Sequence, residues 1–421
     1  MKVFKFGGAS VRDANAVRNL AKILRNSLHE DLVVVVSAMD KITNALEDLL
    51  YSKMQQEADV KEKADHIAGF HKQIIRDLFP SDHTVHQDVD KLLMELKELA
   101  FREPDYHYDR EYDQLVSYGE ILSTRIIYEY LLQENISCIW LDARNVIKTD
   151  SSWRAARVDL VQSEYLISSL WHPQENKPQL ILTQGFIGSD DRKRTTTLGR
   201  EGSDFTAAVF GYALTAEEVV TWKDVPGLFN ADPKLFEKAR QIEHISFRET
   251  IELSYYGAKI IHPNTIKPLQ NKSIPLKVKS FVNPEDKGSV INQDTSHDGI
   301  VESYIIKSDQ VLISLLSRDY EFITENSLSF IFAKFASYNM KINLMQNSAI
   351  TFTACVDRND EKIASLILDL RSQYHIRYNE DLELLTIRHF NESIIEQLTK
   401  GKEILVEQRN RTTVQFVMKP E

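Results

Sequence analysis

The stretch KVFKFGGASVRDANAV (residues 2–17) sets a short strand over 3–6, two glycines at 7 and 8, and then the start of a helix. Val11, Val17, Leu20, Ile23 and Leu24 recur at helical spacing and fall on one face. LVVVVSAM (32–39) follows as an unbroken apolar run ending in Ser37, the pattern of a strand buried on both faces. Strand, helix, strand in this order is a parallel-sheet unit, so the chain opens as a layered α/β domain. Lys5 beside the glycines, with a helix about to begin, raises the question of whether a phosphate sits there.

Beyond this unit, residues 42–100 are helical in pattern and broken near Pro80. YDQLVSYGEILSTRIIYEYLLQE (112–134) reads as one further helix with Gly119 inside it. SCIWLDA and PQLILTQGFIGS read as strands, DFTAAVFGYALTA as a small-residue helix, and EEVVTWKDVPGLF as a strand ending in a Pro-Gly turn. The first domain is expected to span 1–295, with residues 283–299 as the linker. From 300 to 421 the elements shorten, and a strand–helix–strand–strand order occurs twice. That repetition predicts two related small α+β modules.

The 421 residues suit two or three domains. A hydrophobic share of 43% and a charged share of 27% describe a globular, soluble chain. The net charge of −11 argues against a nucleic-acid binder, yet a local basic cluster can still hold an anion. No apolar run reaches transmembrane length, and polar residues among the first fifteen argue against a signal peptide. Cys138 and Cys355 lie far apart among apolar neighbours, which suits buried thiols in a reducing cytoplasm.

Five segments carry chemistry. KFGGAS (5–10) lets backbone approach an oxyanion at a helix start, with Lys5 to neutralise charge. It is not a Walker loop, and alone it equally describes a tight turn with a surface lysine. SYGE (117–120) places Glu120 among apolar residues, where a bound ammonium would balance it. On the tetrad alone a helix-surface carboxylate is the favoured reading. TTTLGREGSD (195–204) sets hydroxyls and glycine amides as a second polar cradle at a helix start, beside Arg200, a side chain that grips carboxylates with two parallel bonds. WKDVPGLFNADPK (222–234) offers an aromatic ring and a carboxylate after a strand, a frame for a base and ribose. GAKIIHPNTIKP (257–268) puts Lys259 after a glycine, and its His262 reads as a structural loop residue.

These five segments, in this order, resemble the aspartokinases of the amino acid kinase family, which carry C-terminal ACT modules. The resemblance spans essentially the whole chain. It implies a three-layer αβα kinase fold with a mainly parallel sheet, followed by two ACT-like, ferredoxin-like modules. One module, about 309–378, would be inserted in the other, 300–308 plus 380–421. It also implies transfer of the γ-phosphoryl group of ATP, with Mg2+, to the side-chain carboxylate of L-aspartate. The product would be 4-phospho-L-aspartate, on the route to lysine, threonine and methionine. Aspartate is already ionised at pH 7, so positive charge and positioning, rather than a general base, should dominate.

Carried over by motif, Lys5 would bridge the phosphates, with Gly7, Gly8 and Ser10 holding them. Thr43 and Glu120 would bind the substrate, Glu120 through its amino group. Arg200 would clamp the α-carboxylate with help from Ser203, and Asp204 would orient the centre or the magnesium. Lys223, Asp224, Phe229, Lys234 and Lys259 would surround the nucleotide. The chain departs from the family's usual pattern at Ala9 for threonine and Glu201 for glycine. Lys223 and Phe229 stand for threonine and tyrosine. In the ACT region, lysine-sensing relatives tend to carry acidic residues where Asn343 and Ala349 stand. The resemblance implies a homo-oligomer, a dimer through these modules, and an amino-acid effector. With the chain ending at 421, a fused homoserine dehydrogenase is not expected. Two alternatives stay open: a kinase for glutamate or acetylglutamate, and a catalytically silent amino-acid sensor.

Overall fold

The computed structural model describes residues 1–105, 107–170, 179–258 and 260–420. Two compact units divide it. One comprises Met1–Leu228, Gln241–Ile251 and Ile260–Ser296, and the other Phe229–Arg240, Glu252–Lys259 and His297–Glu421.

The first unit is built on an eight-stranded sheet. Its order is His244–Ser246, Ser289–Asn292, Leu276–Ser280, Glu218–Lys223, Lys2–Phe6, Leu32–Val36, Leu180–Gln184 and Ile139–Leu141. Every pairing is parallel except that of Leu276–Ser280 with Ser289–Asn292. The Lys2–Phe6 strand is central, and its neighbour Leu32–Val36 is sealed from water along all five residues. Period-two alternation sorts the side chains. Phe4, Phe6, Val34, Val36 and Trp222 join a core with Leu20, Leu24 and Ile126 of the helices on one face. Lys5, in register with Val35 and Thr221, belongs to the other face, which the Gly202–Leu214 helix covers.

The helical stretch after residue 42 is three helices, Ile42–Gln55, Val60–Leu78 and Val85–Phe101. The sequence marked only the break at Pro80. The other falls at Gln56, which adopts φ +54° with no glycine or proline to announce it. The single helix expected over 112–134 is two, Tyr108–Val116 and Tyr118–Gln133, divided at Ser117. The expected linker 283–299 contains Ser289–Asn292, a strand of the central sheet.

The second unit holds a six-stranded antiparallel sheet ordered Ile342–Asn347, Thr351–Asp357, Ser303–Ser317, Tyr374–Arg388, Thr413–Met418 and Ile404–Arg409. Two segments read as separate strands, IVESYIIK and VLISLLS, are continuous in Ser303–Ser317, with register shifts between Lys307 and Leu312. Val311, Ile313 and Leu315 pack against Ile331, Phe335 and Leu366 of the helices Glu325–Ser337 and Asp360–Leu370. Leu385, Ile387, Val414 and Phe416 pack with Ile394, Ile395 and Leu398 of the helix Glu392–Thr399. A mainly parallel, helix-covered sheet followed by small α+β modules is the fold class the sequence implied. Cys138 and Cys355 are both buried free thiols, pushed up to about 12 by that burial.

A buried ion pair clamps the helices before the site. Lys53 meets Glu111 and also donates to the Leu99 carbonyl at 2.7 Å. The second Glu111 oxygen takes Arg102 at 2.7 Å. Burial holds the Lys53 ammonium below its usual range even with Glu111 beside it. Glu111→Ala should therefore cost about 3–5 kcal/mol in denaturant unfolding, while the double change Lys53→Met/Glu111→Leu recovers most of it. A loss below about 1 kcal/mol in the single variant would show that the clamp is not structural.

Candidate active site

The parallel strands end together at one edge of the central sheet, where an open α/β sheet binds ligands. Lys5 sits one residue before the end of its strand. Its register partner Thr221 points to the same face, across the ladder. The Gly202–Leu214 helix brings Asp204, in its first turn, onto that face. Lys5 Nζ lies 3.2 Å from Asp204 Oδ1, and Thr221 Oγ1 donates to the same oxygen at 3.2 Å. Both charged side chains are buried. Burial pushes the Asp204 carboxyl up, but the charges of Lys5 and Lys223 and the bonds from Lys5 and Thr221 outweigh it. The net position is below the usual carboxylate range.

The chain leaves Phe6 through Gly7 into a turn over Gly8–Val11. A Cβ on Gly8 would lie 2.7 Å from the Asp40 carbonyl oxygen and 2.9 Å from that of Ala38. The glycine is thus required by backbone packing against the loop after Leu32–Val36. Ser10 Oγ donates to the Trp222 carbonyl at 3.2 Å, tethering the turn to the neighbouring strand.

Glu120 lies in the first turn of the Tyr118–Gln133 helix and is buried. Its neighbour Gly119 permits this approach, since a Cβ there would come within 2.9 Å of Ala38 Cβ. One Glu120 oxygen accepts the Ala38 N–H at 3.2 Å, while Oε2 has no hydrogen-bond partner among the described residues. Burial pushes the carboxyl up to about 8, against the pull of the Ala38 N–H and the nearby Lys5 charge. A buried, half-satisfied acid beside a lysine is primed to receive a cationic donor.

The TTTLGREGSD segment divides its labour. Its hydroxyls do not form the open polar cradle that the sequence led us to expect. Thr197 Oγ1 donates to Asp113 at 2.6 Å, Thr196 bonds Thr149 at 2.7 Å, and Thr195 accepts from Arg144 at 3.3 Å. Beyond them Gly199 turns at φ +75°, and Arg200 is exposed without a hydrogen bond or ion pair to any described residue. Ser203 is buried at the helix start against Gly185, whose Cβ would sit 2.4 Å from that of Ser203.

Lys5, Gly7, Gly8, Ser10, Glu120, Ser203, Asp204 and Lys223 thus converge in the first unit. Thr43 is half-buried near the start of the Ile42–Gln55 helix. Asp224 is exposed on the turn after its strand. Phe229 and Lys234 belong to the second unit. Lys259 lies outside the described residues. Sequence reasoning missed Asp113. Fully buried, it accepts from Arg154 N at 3.0 Å, Thr197 N at 2.9 Å and the Thr197 hydroxyl, and burial pushes it up to about 6. Little in the sequence signalled it, because Asp113 stands among other polar residues in YDREYDQLV (108–116).

Comparison with known proteins identifies relatives of this chain. Residues 1–280 match the amino acid kinase family. The lysine-sensitive aspartokinase 3 of Escherichia coli is 31% identical over 393 residues, covering 91% of this chain and 86% of the relative. The bifunctional aspartokinase/homoserine dehydrogenase 2 of Arabidopsis thaliana is 31% identical over 304 residues, and there the match spans 33% of the relative's length. The structure of E. coli aspartokinase III in complex with aspartate and ADP superposes with a TM-score of 0.85 at 28% identity. That match covers 100% of this chain and 96% of the other. With the parallel sheet, the Lys5–Asp204 pair and the buried Glu120 in place, the chain belongs to the amino acid kinase family and, within it, to the aspartokinases.

Proposed function

We propose that this site transfers the γ-phosphoryl group of ATP to the side-chain carboxylate of L-aspartate, giving 4-phospho-L-aspartate. The observation that carries the reading is the buried Glu120, whose Oε2 has no partner among the described residues, within the field of Lys5. An α-ammonium supplies the donor that this oxygen lacks. Arg200, unpaired on its loop, takes the α-carboxylate, and Ser203 and Thr43 complete the pocket. The amino acid's reacting carboxylate is then left towards Lys5.

The acceptor carboxylate needs no base. It must meet a polyphosphate, and Lys5 offsets that repulsion while stabilising the charge spread over the transferring group. Asp204 fixes the lysine's position. Gly7 and Gly8 give the phosphates access to backbone, with Lys223 and Asp224 as the proposed nucleotide residues of this unit. Among the described residues no group of three His, Cys, Asp or Glu side chains is placed to hold a metal. Mg2+ would accompany the nucleotide substrate and would neutralise phosphate charge, with Asp204 as the acid that would orient it.

We also assign the second unit to regulation and to dimer formation between copies. Asn343 is fully engaged: it donates to Gln310 and Asp357 at 2.9 Å each and accepts from Lys307 at 3.0 Å. The ammonium of Lys307 already sits on this oxygen, and its charge opposes a second ammonium at the same residue.

Turnover with ATP, Mg2+ and hydroxylamine should give hydroxamate with aspartate and none with glutamate or N-acetylglutamate. Hydroxamate with none of the three would transfer the assignment to an amino-acid sensor. Lys5→Ala should lower kcat on the order of 10²–10³-fold in a folded protein, and a change within a few-fold would remove Lys5 from that role.

The pH dependence follows from Glu120. A bound ammonium favours its carboxylate, so aspartate binding below pH 8 releases a proton and strengthens as pH rises. Aspartate affinity should climb between about pH 6 and 8, by at most about tenfold per unit, and Glu120→Gln should flatten the slope. Calorimetric titration in buffers of different protonation enthalpy reads the proton directly. A parent protein with pH-independent aspartate affinity contradicts the assignment.

A further inference from the structure

We propose that Glu201 and Lys223 are positioning residues that together staple the segment Ile260–Pro263 to the reaction site, and thereby set the nucleotide side of the pocket. This rests on the kinase reading above. Both residues stand where the chain departs from the pattern its resemblance implies, and the structure gives the two departures one target.

Glu201 lies between Arg200 and the first residue of the Gly202–Leu214 helix, in the left-handed conformation with φ +56° and ψ +26°. Glycine adopts that conformation without strain, and glutamate does not. The side chain has a compensating use, because Oε2 accepts the backbone N–H of His262 at 2.7 Å. Lys223, at the end of its strand, donates from Nζ to the Ile260 carbonyl at 2.8 Å. One hook takes a backbone donor and the other a backbone acceptor, two residues apart on the same short segment.

The hooks reach the segment from the two sides of the proposed chemistry. Glu201 is contiguous with Arg200 and Ser203, which we assign to the amino acid. Lys223 lies two residues after Thr221, and its charge helps hold Asp204 ionised. The stapled segment passes its position on: His262 Nδ1 accepts the Asn264 N–H at 3.3 Å and caps the Pro263–Asn271 helix. That helix is already anchored by the buried Ile266 and Leu269. The fold therefore does not depend on the hooks, which fix only the entry to the helix. The Glu201 bond has a second effect. It holds a carboxylate that adjoins Arg200 in sequence on a backbone donor, so that it does not compete with the substrate for the guanidinium.

The test separates the hook from the backbone strain. Glu201→Gly removes the side chain while suiting the left-handed conformation, so thermal stability should hold or rise. The KM for ATP should rise about fivefold or more, with the KM for aspartate within about twofold. The His262 amide should exchange at least about tenfold faster with deuterium. Glu201→Gln keeps an acceptor oxygen, so His262 protection and the KM for ATP should stay within about twofold of the parent. Lys223→Met should reproduce the ATP-selective loss, and the double variant should lose less than the product of the two. Unchanged His262 exchange in Glu201→Gly, a Glu201→Gln variant as impaired as Glu201→Gly, or fully additive losses would each overturn the staple. Absence of turnover in the parent would overturn the kinase reading instead, while the exchange measurement still judges the staple by itself.

Discussion

Lys5 and Asp204 face each other across 3.2 Å, both buried, at the carboxyl edge of the central sheet. Such a pair loses two hydration shells, and well-packed apolar residues of similar volume usually serve stability as well or better. Its value lies in what an ammonium can do in a water-poor cleft, where charge acts over short distances with little screening. The surroundings follow from holding that one group in place. Lys5 sits on a central strand, paired on both sides. Thr221 shares its register face and bonds the same aspartate oxygen. The Gly202–Leu214 helix must approach the sheet closely to deliver Asp204, and its residues Ala207, Ala208 and Gly211 are small and buried.

The chemistry then divides by sign. Both proposed substrates are anions, and the chain as a whole is acidic, with a net charge of −11. Local cations must therefore oppose the global field, and Lys5, Lys223 and Arg200 do so. Glu120 is the counterweight. Buried near Lys5 without a bound cation, it is pushed up to about 8, so in the proposed reading it would carry little negative charge towards the phosphates until an ammonium arrives. An amino acid with a free amino group satisfies it, and an acylated one does not. In the proposed reading, selectivity for a free amino acid rests on one oxygen that has no partner among the described residues.

The fold was legible where patterning was strong. The opening strand, the Val-rich second strand and the repeat in the last 120 residues all follow from periodicity. The break at Gln56 escaped notice because it relies on a left-handed glutamine rather than on glycine or proline. Ser289–Asn292 escaped because a four-residue edge strand among turn residues looks like a linker. At the site, Lys5, Glu120 and Asp204 came from the family resemblance; on the SYGE tetrad alone Glu120 reads as a helix-surface carboxylate, which its burial overturns. What could not be read was which polar groups face inward. Three adjacent threonines suggested a cradle, yet their partners Asp113, Thr149 and Arg144 lie 47 to 84 residues away in the chain and only the fold brings them near.

That inward use of hydroxyls explains how one loop can be both rigid and exposed. Asp113 takes the Thr197 amide and hydroxyl together with the Arg154 amide, so a single carboxylate fixes two loops at once. All three partners are donors, which an ionised acid satisfies and a neutral amide cannot. Two residues past Thr197 the chain turns at Gly199 and releases Arg200 to solvent. Three residues past Arg200 it is captured again, with Ser203 pressed against Gly185. The arginine is therefore held at both ends of a short span while its own side chain stays uncommitted. A guanidinium presented in this way loses little backbone freedom on gripping a carboxylate, because the three threonine hydroxyls before it are committed to protein partners and hold the loop.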